Sequence, residues 1–221
     1  MNQVTDQQII EILRKEAVPA LGCTEPVACA LACAKCKEVL GGVPERLDVL
    51  VSGNIYKNGM GVGIPGTGMV GLPIAAALGA VCGKSEYGLE VLKEVNVGDN
   101  LQRAKDMLDQ VTVSLKEDAP DKLYAEALAT KGNDTVKVVI AHTHTNIVLV
   151  EKNGEEIFKR EFRLDTSKPE DKGPELSVKR IWDFVHEVDV KDIEFVLQGA
   201  EMNKAISAEG LNSEYGFPRG L

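Results

Sequence analysis

The most restrictive stretch of this sequence is GCTEPVACALACAKC, residues 22–36, which holds four of the five cysteines. Its first part reads as a tight loop. Gly22 gives backbone freedom, and Thr24 can cap the helix that follows. Pro26 suits the first helical position, where its missing N–H costs nothing, and Glu25 suits the positive end of a helix dipole. From Val27 the chain is rich in Ala and Leu and reads as a buried helix ending near Gly41 and Gly42.

This placement separates Cys23 from the other cysteines. A thiol just before a helix N-terminus is pushed toward thiolate, the form that binds metals and attacks carbon. Cys29, Cys33 and Cys36 are spaced i, i+4, i+7 along the helix and share one face. They read as small apolar core residues. The same C-x3-C-x2-C spacing occurs in radical iron–sulfur sites, but those need a loop that can wrap a cluster, and an Ala-rich helix is the wrong context. Cys23, flanked by Gly, Thr, Glu and Pro, has little packing reason to be where it is.

A formal charge of −9 without a basic cluster argues against nucleic acid and against anionic membrane surfaces as partners. The longest apolar run, residues 72–82, is too short to span a bilayer. The polar start and an odd cysteine count point to a protein without a secretory signal in a reducing, cytoplasmic setting.

Along the chain, Thr5 and Gln8 form a capping box before a short amphipathic helix with Ile9, Ile10 and Leu13. Leu47, Val49 and Val51 alternate as a strand, and residues 52–59 are polar and turn-prone. An Ala-rich buried helix is expected over about 72–82, and surface helices over about 86–94 and 100–108. Strands are expected at 111–117, 123–130 and 135–151, with Asn153-Gly154 as a hairpin turn pairing the last with 155–163 and setting Val150 against Ile157. Residues 165–174 read as a linker. Two helices follow, one face marked by Val178, Ile181, Trp182 and Val185, the other by Ile193, Val196, Leu197 and Ala200. The tail, 211–221, reads as a loop. The expected fold is α+β, with an antiparallel sheet of about four strands and Ala-rich helices packed around the cysteine loop. Its parts are a helical region (about 1–108), a sheet region (about 109–165) and C-terminal helices (about 175–209).

Two further motifs carry chemistry. Gly66-x-Gly68-x-x-Gly71 matches the dinucleotide fingerprint, but Pro65 interrupts the approach and no second strand follows. A cradle of backbone N–H groups for a carboxylate or phosphate fits better, and a plain tight turn fits equally. His142 and His144 fall in the expected long strand, where they would point to one face. The spacing suits a metal, or a general base with a substrate hydrogen bond, or simple packing.

In chain order, Gly22-Cys23-Thr24-Glu25-Pro26, Asn54-x-x-Lys57-Asn58, Ile64-Pro65-Gly66-Thr67-Gly68 and His142-x-His144-Thr145-Asn146 resemble the L-cysteine desulfidase (YhaM-type) family, relatives of the alpha chain of iron–sulfur L-serine dehydratase. The resemblance covers nearly the whole chain, which looks like the N-terminal half of such proteins. It implies α,β-elimination of L-cysteine to pyruvate, sulfide and ammonia, with a [4Fe–4S] cluster held by three cysteines and no pyridoxal phosphate. Cys23 matches one cluster ligand, and the others would lie in the C-terminal half of the same protein, so this half alone is expected to be inactive. The resemblance assigns the substrate carboxylate to Gly66, Thr67 and Gly68. Polar contacts fall to Asn54, Asn58, Thr145 and Asn146, and the α-proton to Lys57, if burial lowers its pKa, or to His142 or His144. A serine-specific lyase, a mononuclear metal hydrolase built on His142 and His144, and a non-catalytic amino-acid-binding domain are the alternatives. Oligomeric state, including a homo-oligomer, is open.

Overall fold

A computed structural model describes residues 4–160 and 176–212. In chain order the elements are α1 (Asp6–Glu16), α2 (Thr24–Leu40), β1 (Arg46–Val51), α3 (Gly53–Gly59), β2 (Gly63–Ile64), β3 (Met69–Val70), α4 (Leu72–Val81), α5 (Asn100–Asp106), β4 (Val111–Leu115), β5 (Tyr124–Lys131), β6 (Asp134–Ala141), β7 (Ile147–Lys152), β8 (Glu155–Lys159), α6 (Val178–Glu187), α7 (Val190–Ile193) and α8 (Phe195–Asn212). The chain divides into two compact units, Ala20–Asp165 and Met1–Pro19 with Thr166–Leu221. The expected helical region therefore divides: α1 belongs to the smaller unit, while the rest shares one unit with the expected sheet region, because β1 is an interior strand of the sheet and α2 lies on it.

The α+β class holds, but the sheet has six strands rather than about four, in the order β4-β1-β5-β6-β7-β8. It is also mixed. β1 runs antiparallel to β5 and parallel to β4. The helical segment between β1 and β4 is the reason: a crossover returns the chain in the same direction, whereas tight hairpins reverse it. A separate two-stranded hairpin joins β2 and β3.

α2 is apolar around most of its circumference and is buried accordingly, against α4 on one side and β5 and β6 on another. Small residues allow the close approach. Ala125, Ala127 and Ala129 of β5 face the helix with no exposed surface. A Cβ built on Gly79 of α4 would stand 2.2 Å from the Ala30 carbonyl oxygen, so only glycine fits at that crossing. Cys29, Cys33 and Cys36 are fully buried, as expected of core residues. The Cys36 thiol points at the carbonyl oxygens of Ala127 and Val136, at 3.5 and 3.6 Å.

Four local expectations are corrected. Residues 52–59 form α3 rather than a turn: Ser52 caps the helix through the Ile55 N–H, and Ile55 is buried beneath it. The 86–94 helix is a 3-10 turn over Ser85–Glu90, broken at Gly88 with φ 52° and ψ −119°. The Asn153-Gly154 hairpin forms, with both residues at positive φ, but a bulge between Val150 and Glu151 sets Val150 opposite Phe158 instead of Ile157. The expected long strand over 135–151 is two strands, parted by a tight turn at 142–146.

In the smaller unit the capping box of Thr5 and Gln8 is present, and Ile9 and Ile10 of α1 pack with Phe184 of α6. The face of α6 marked by Val178, Ile181, Trp182 and Val185 is exposed, while Arg180 and Phe184 are buried. The expected linker at 165–174, the end of the 155–163 strand and most of the tail lie outside the described residues. Among the described residues no helix is long and apolar enough to cross a membrane.

Candidate functional site

Four segments far apart in sequence meet at the N-terminus of α2. The cap of that helix is Cys23, with φ −71° and ψ 139°, so Thr24 and Glu25 occupy the first turn and Pro26 lies deeper than expected. The Cys23 thiol donates to Glu25 Oε2 at 2.7 Å. On its other oxygen Glu25 accepts from Asn58 Nδ2 of α3 at 3.1 Å. Thr24 Oγ1 lies 3.2 Å from His144 Nε2, which reaches over from the β6–β7 turn. The Pro65–Gly68 turn abuts the same loop: a Cβ on Gly22 would stand 3.0 Å from Pro65 Cγ.

The electrostatics differ from the thiolate expected at a helix N-terminus. Burial, and then the hydrogen bond to the Glu25 carboxylate, push the Cys23 thiol above its ordinary pKa. Burial and the neighbouring carboxylate, which opposes a second negative charge, together outweigh the helix N-terminus. Glu25 moves the other way. The thiol donor lowers its pKa first, with Asn58 and the His144 ring adding to the effect against burial. Burial holds His144 below its ordinary pKa, and the nearby Glu25 charge offsets part of that.

The two histidines do not share a face. The turn places His142 at φ +69°, a left-handed conformation uncommon outside glycine. Its Nδ1 lies 2.6 Å from Asp121 Oδ2, while His144 turns to Thr24. The expected placement of the pair on one strand face fails because the strand ends at Ala141. Asn146 holds the turn closed: its Nδ2 donates to the Ala141 carbonyl at 2.9 Å, and its Oδ1 accepts from Arg160 at 2.7 Å. Thr145 is exposed nearby.

Gly66 and Gly68 lie in the β2–β3 turn, and Gly71 caps α4. Gly66 and Gly68 are exposed at φ 76° and 66°. Thr67 is buried, and its hydroxyl closes the turn by donating to the Ile64 carbonyl at 2.7 Å and accepting from the Met69 N–H at 2.9 Å. That hydroxyl is therefore structural, and a carboxylate would meet the glycine backbone. Asn54 and Lys57 are exposed on α3.

Among the described residues no group of three or more His, Cys, Asp or Glu side chains could hold a metal ion. Cys23 has the chemistry of one cluster ligand. Cys29, Cys33, Cys36 and Cys82 are buried in the core, away from any loop that could wrap a cluster. Further ligands would have to come from outside the described residues. Sequence reading gave Glu25 only a place in the helix dipole and passed over Asp121. The signal for Glu25 was its spacing, two residues after Cys23 in a first turn, which brings both side chains to one end of the helix.

The chain is similar to UPF0597 proteins. The UPF0597 protein of Parabacteroides distasonis is 46% identical over 222 residues, covering 98% of this chain and 51% of the relative. Those of Phocaeicola vulgatus and Dichelobacter nodosus are 43% and 45% identical, each covering 97% of this chain and 50% of the relative. The chain thus spans about half the length of the UPF0597 proteins it matches. No family model matches the chain, and no solved structure does.

Proposed function

We propose that this chain carries one side of the active site of an iron–sulfur lyase that eliminates sulfide from L-cysteine. The observation that supports the reading is the meeting of Cys23, Glu25, Asn58 and His144, from three separate segments, around one helix N-terminus. A structural role alone gives no reason to gather a thiol, a carboxylate, an amide and an imidazole at one partly exposed point.

In this reading Cys23 is the ligand this chain contributes to a [4Fe–4S] cluster. When bound, the cluster supplies a Lewis-acidic iron for the departing sulfur. The chain's own residues do the rest. The exposed backbone of Gly66 and Gly68 receives the substrate carboxylate. Asn58 holds Glu25 beside Cys23; Glu25 accepts the thiol proton in this chain, and that hydrogen bond would be given up for Cys23 to ligate as thiolate. His144 takes the α-proton on Nδ1, since Nε2 faces Thr24. An imidazole must be neutral to accept a proton, and burial favours the neutral ring. Loss of the α-proton and of sulfide from Cβ leaves aminoacrylate. Water then converts it to pyruvate and ammonia. His142, held by Asp121, and the exposed Lys57 are not needed for this step.

The test is pyruvate formation by the full-length protein, reconstituted with iron and sulfide without oxygen, from L-cysteine and from L-serine. Faster turnover of L-cysteine supports the reading. Turnover of L-serine alone would make the protein a serine dehydratase, and bound zinc without labile sulfide would overturn the cluster.

A further inference from the structure

α6 has three faces. One packs in the core of its unit: Phe184 is 3% exposed, and Arg180 is 8% exposed, donating to the Val4 carbonyl at 2.6 Å and pairing with Asp6. A second is polar, with Lys179 and Asp183 in an ion pair at 2.6 Å. The third is apolar and uncovered. Val178, Ile181, Trp182 and Val185 recur at i, i+3, i+4 and i+7 and are 84, 45, 64 and 56% exposed. That spacing is a helix stripe meant for burial. α8 has the same character, with Val196, Leu197, Met202, Ile206 and Leu211 all exposed along its length. Single exposed apolar residues need no explanation, but a whole helix stripe with a tryptophan in it marks an interaction surface.

The relatives supply a candidate occupant. UPF0597 proteins carry about as many residues again as this chain matches. A partner joined through the same polypeptide is held at high effective concentration. An apolar stripe without a ring of paired charges then suffices for docking. We propose that the outer face of α6, with Trp182 in it, docks the half of the UPF0597 length that this chain does not contain. The inference does not depend on the lyase reading.

Trp182 is the single tryptophan of the chain and reports its own environment. In this chain alone its emission should be readily quenched by acrylamide, somewhat below free indole because the His186 ring lies 4.4 Å away. A shielded Trp182 would mean the face is already covered within these residues, and would overturn the proposal. The second arm uses the full-length Parabacteroides distasonis relative with a photo-crosslinking residue at the position aligned with Trp182. The proposal expects crosslinks to peptides of the other half of the same molecule, several-fold above a control at the position aligned with Lys179. Crosslinks between two molecules would assign the face to a second copy, and an absence of crosslinks above the control would remove the docking surface altogether.

Discussion

The Cys23 thiol donates its hydrogen bond to the Glu25 carboxylate, 2.7 Å away and in the first turn of the helix that Cys23 caps. The helix dipole alone would favour the thiolate, but burial and the adjacent negative charge favour the thiol. The alkylation rate of Cys23 should therefore rise only at a pH above the ordinary thiol pKa. Glu25→Gln removes the charge and keeps an acceptor oxygen, so the midpoint of that profile should move down. A midpoint that stays in place would mean burial alone sets it.

The five cysteines should split cleanly under a thiol reagent. Cys29, Cys33 and Cys36 have no exposed surface, and burial raises the Cys29 pKa to about 12. One fast-reacting thiol is expected in the native chain and five after denaturation, with Cys23→Ala removing the fast one.

Gly79→Ala tests the helix crossing. The new methyl would overlap the Ala30 backbone, which cannot swing aside as a flexible side chain could. A loss of about 1–3 kcal/mol is expected from overpacking of this kind, read as a lower denaturation midpoint with an unchanged slope. Gly98→Ala has open space around its Cβ but a φ of +59°. Its loss should come from backbone strain and stay near 1 kcal/mol.

The histidines should behave differently. His144→Gln is expected to lower sulfide release on the order of 10²–10⁴-fold, the usual weight of a general base. His142→Gln breaks a partly exposed pair with Asp121 and should cost at most about 1 kcal/mol of stability, with release retained. Equal losses of release would return the two to a shared role.

Local chemistry made much of this fold legible. The Thr5–Gln8 capping box, the Ala-rich α2 and α4, and the Asn153-Gly154 turn depend on neighbours in sequence, and each formed. The missed features depend on distant partners. Nothing near β1 announces that it will lie parallel to β4, some sixty residues later, with β5 on its other edge. α3 contains Gly and Asn and is stabilised by burial of Ile55 and the bond from Ser52 to the Lys122 carbonyl at 2.7 Å, both tertiary. The same contrast holds at the candidate site. Cys23 stood out from its loop context alone. The separation of His142 from His144 required the turn at 142–146, and the role of Glu25 required Asn58 to arrive from another helix.

The proposal that the side chains at the start of α2 form half of a lyase active site stands or falls on turnover. Sulfide release from L-cysteine tests it most directly, measured on the full-length protein reconstituted with iron and sulfide without oxygen, beside Cys23→Ala and Cys29→Ala. The account predicts release by the parent and by Cys29→Ala, and none by Cys23→Ala. Release by Cys23→Ala at the parent rate, or none by a parent holding a complete cluster, would contradict it.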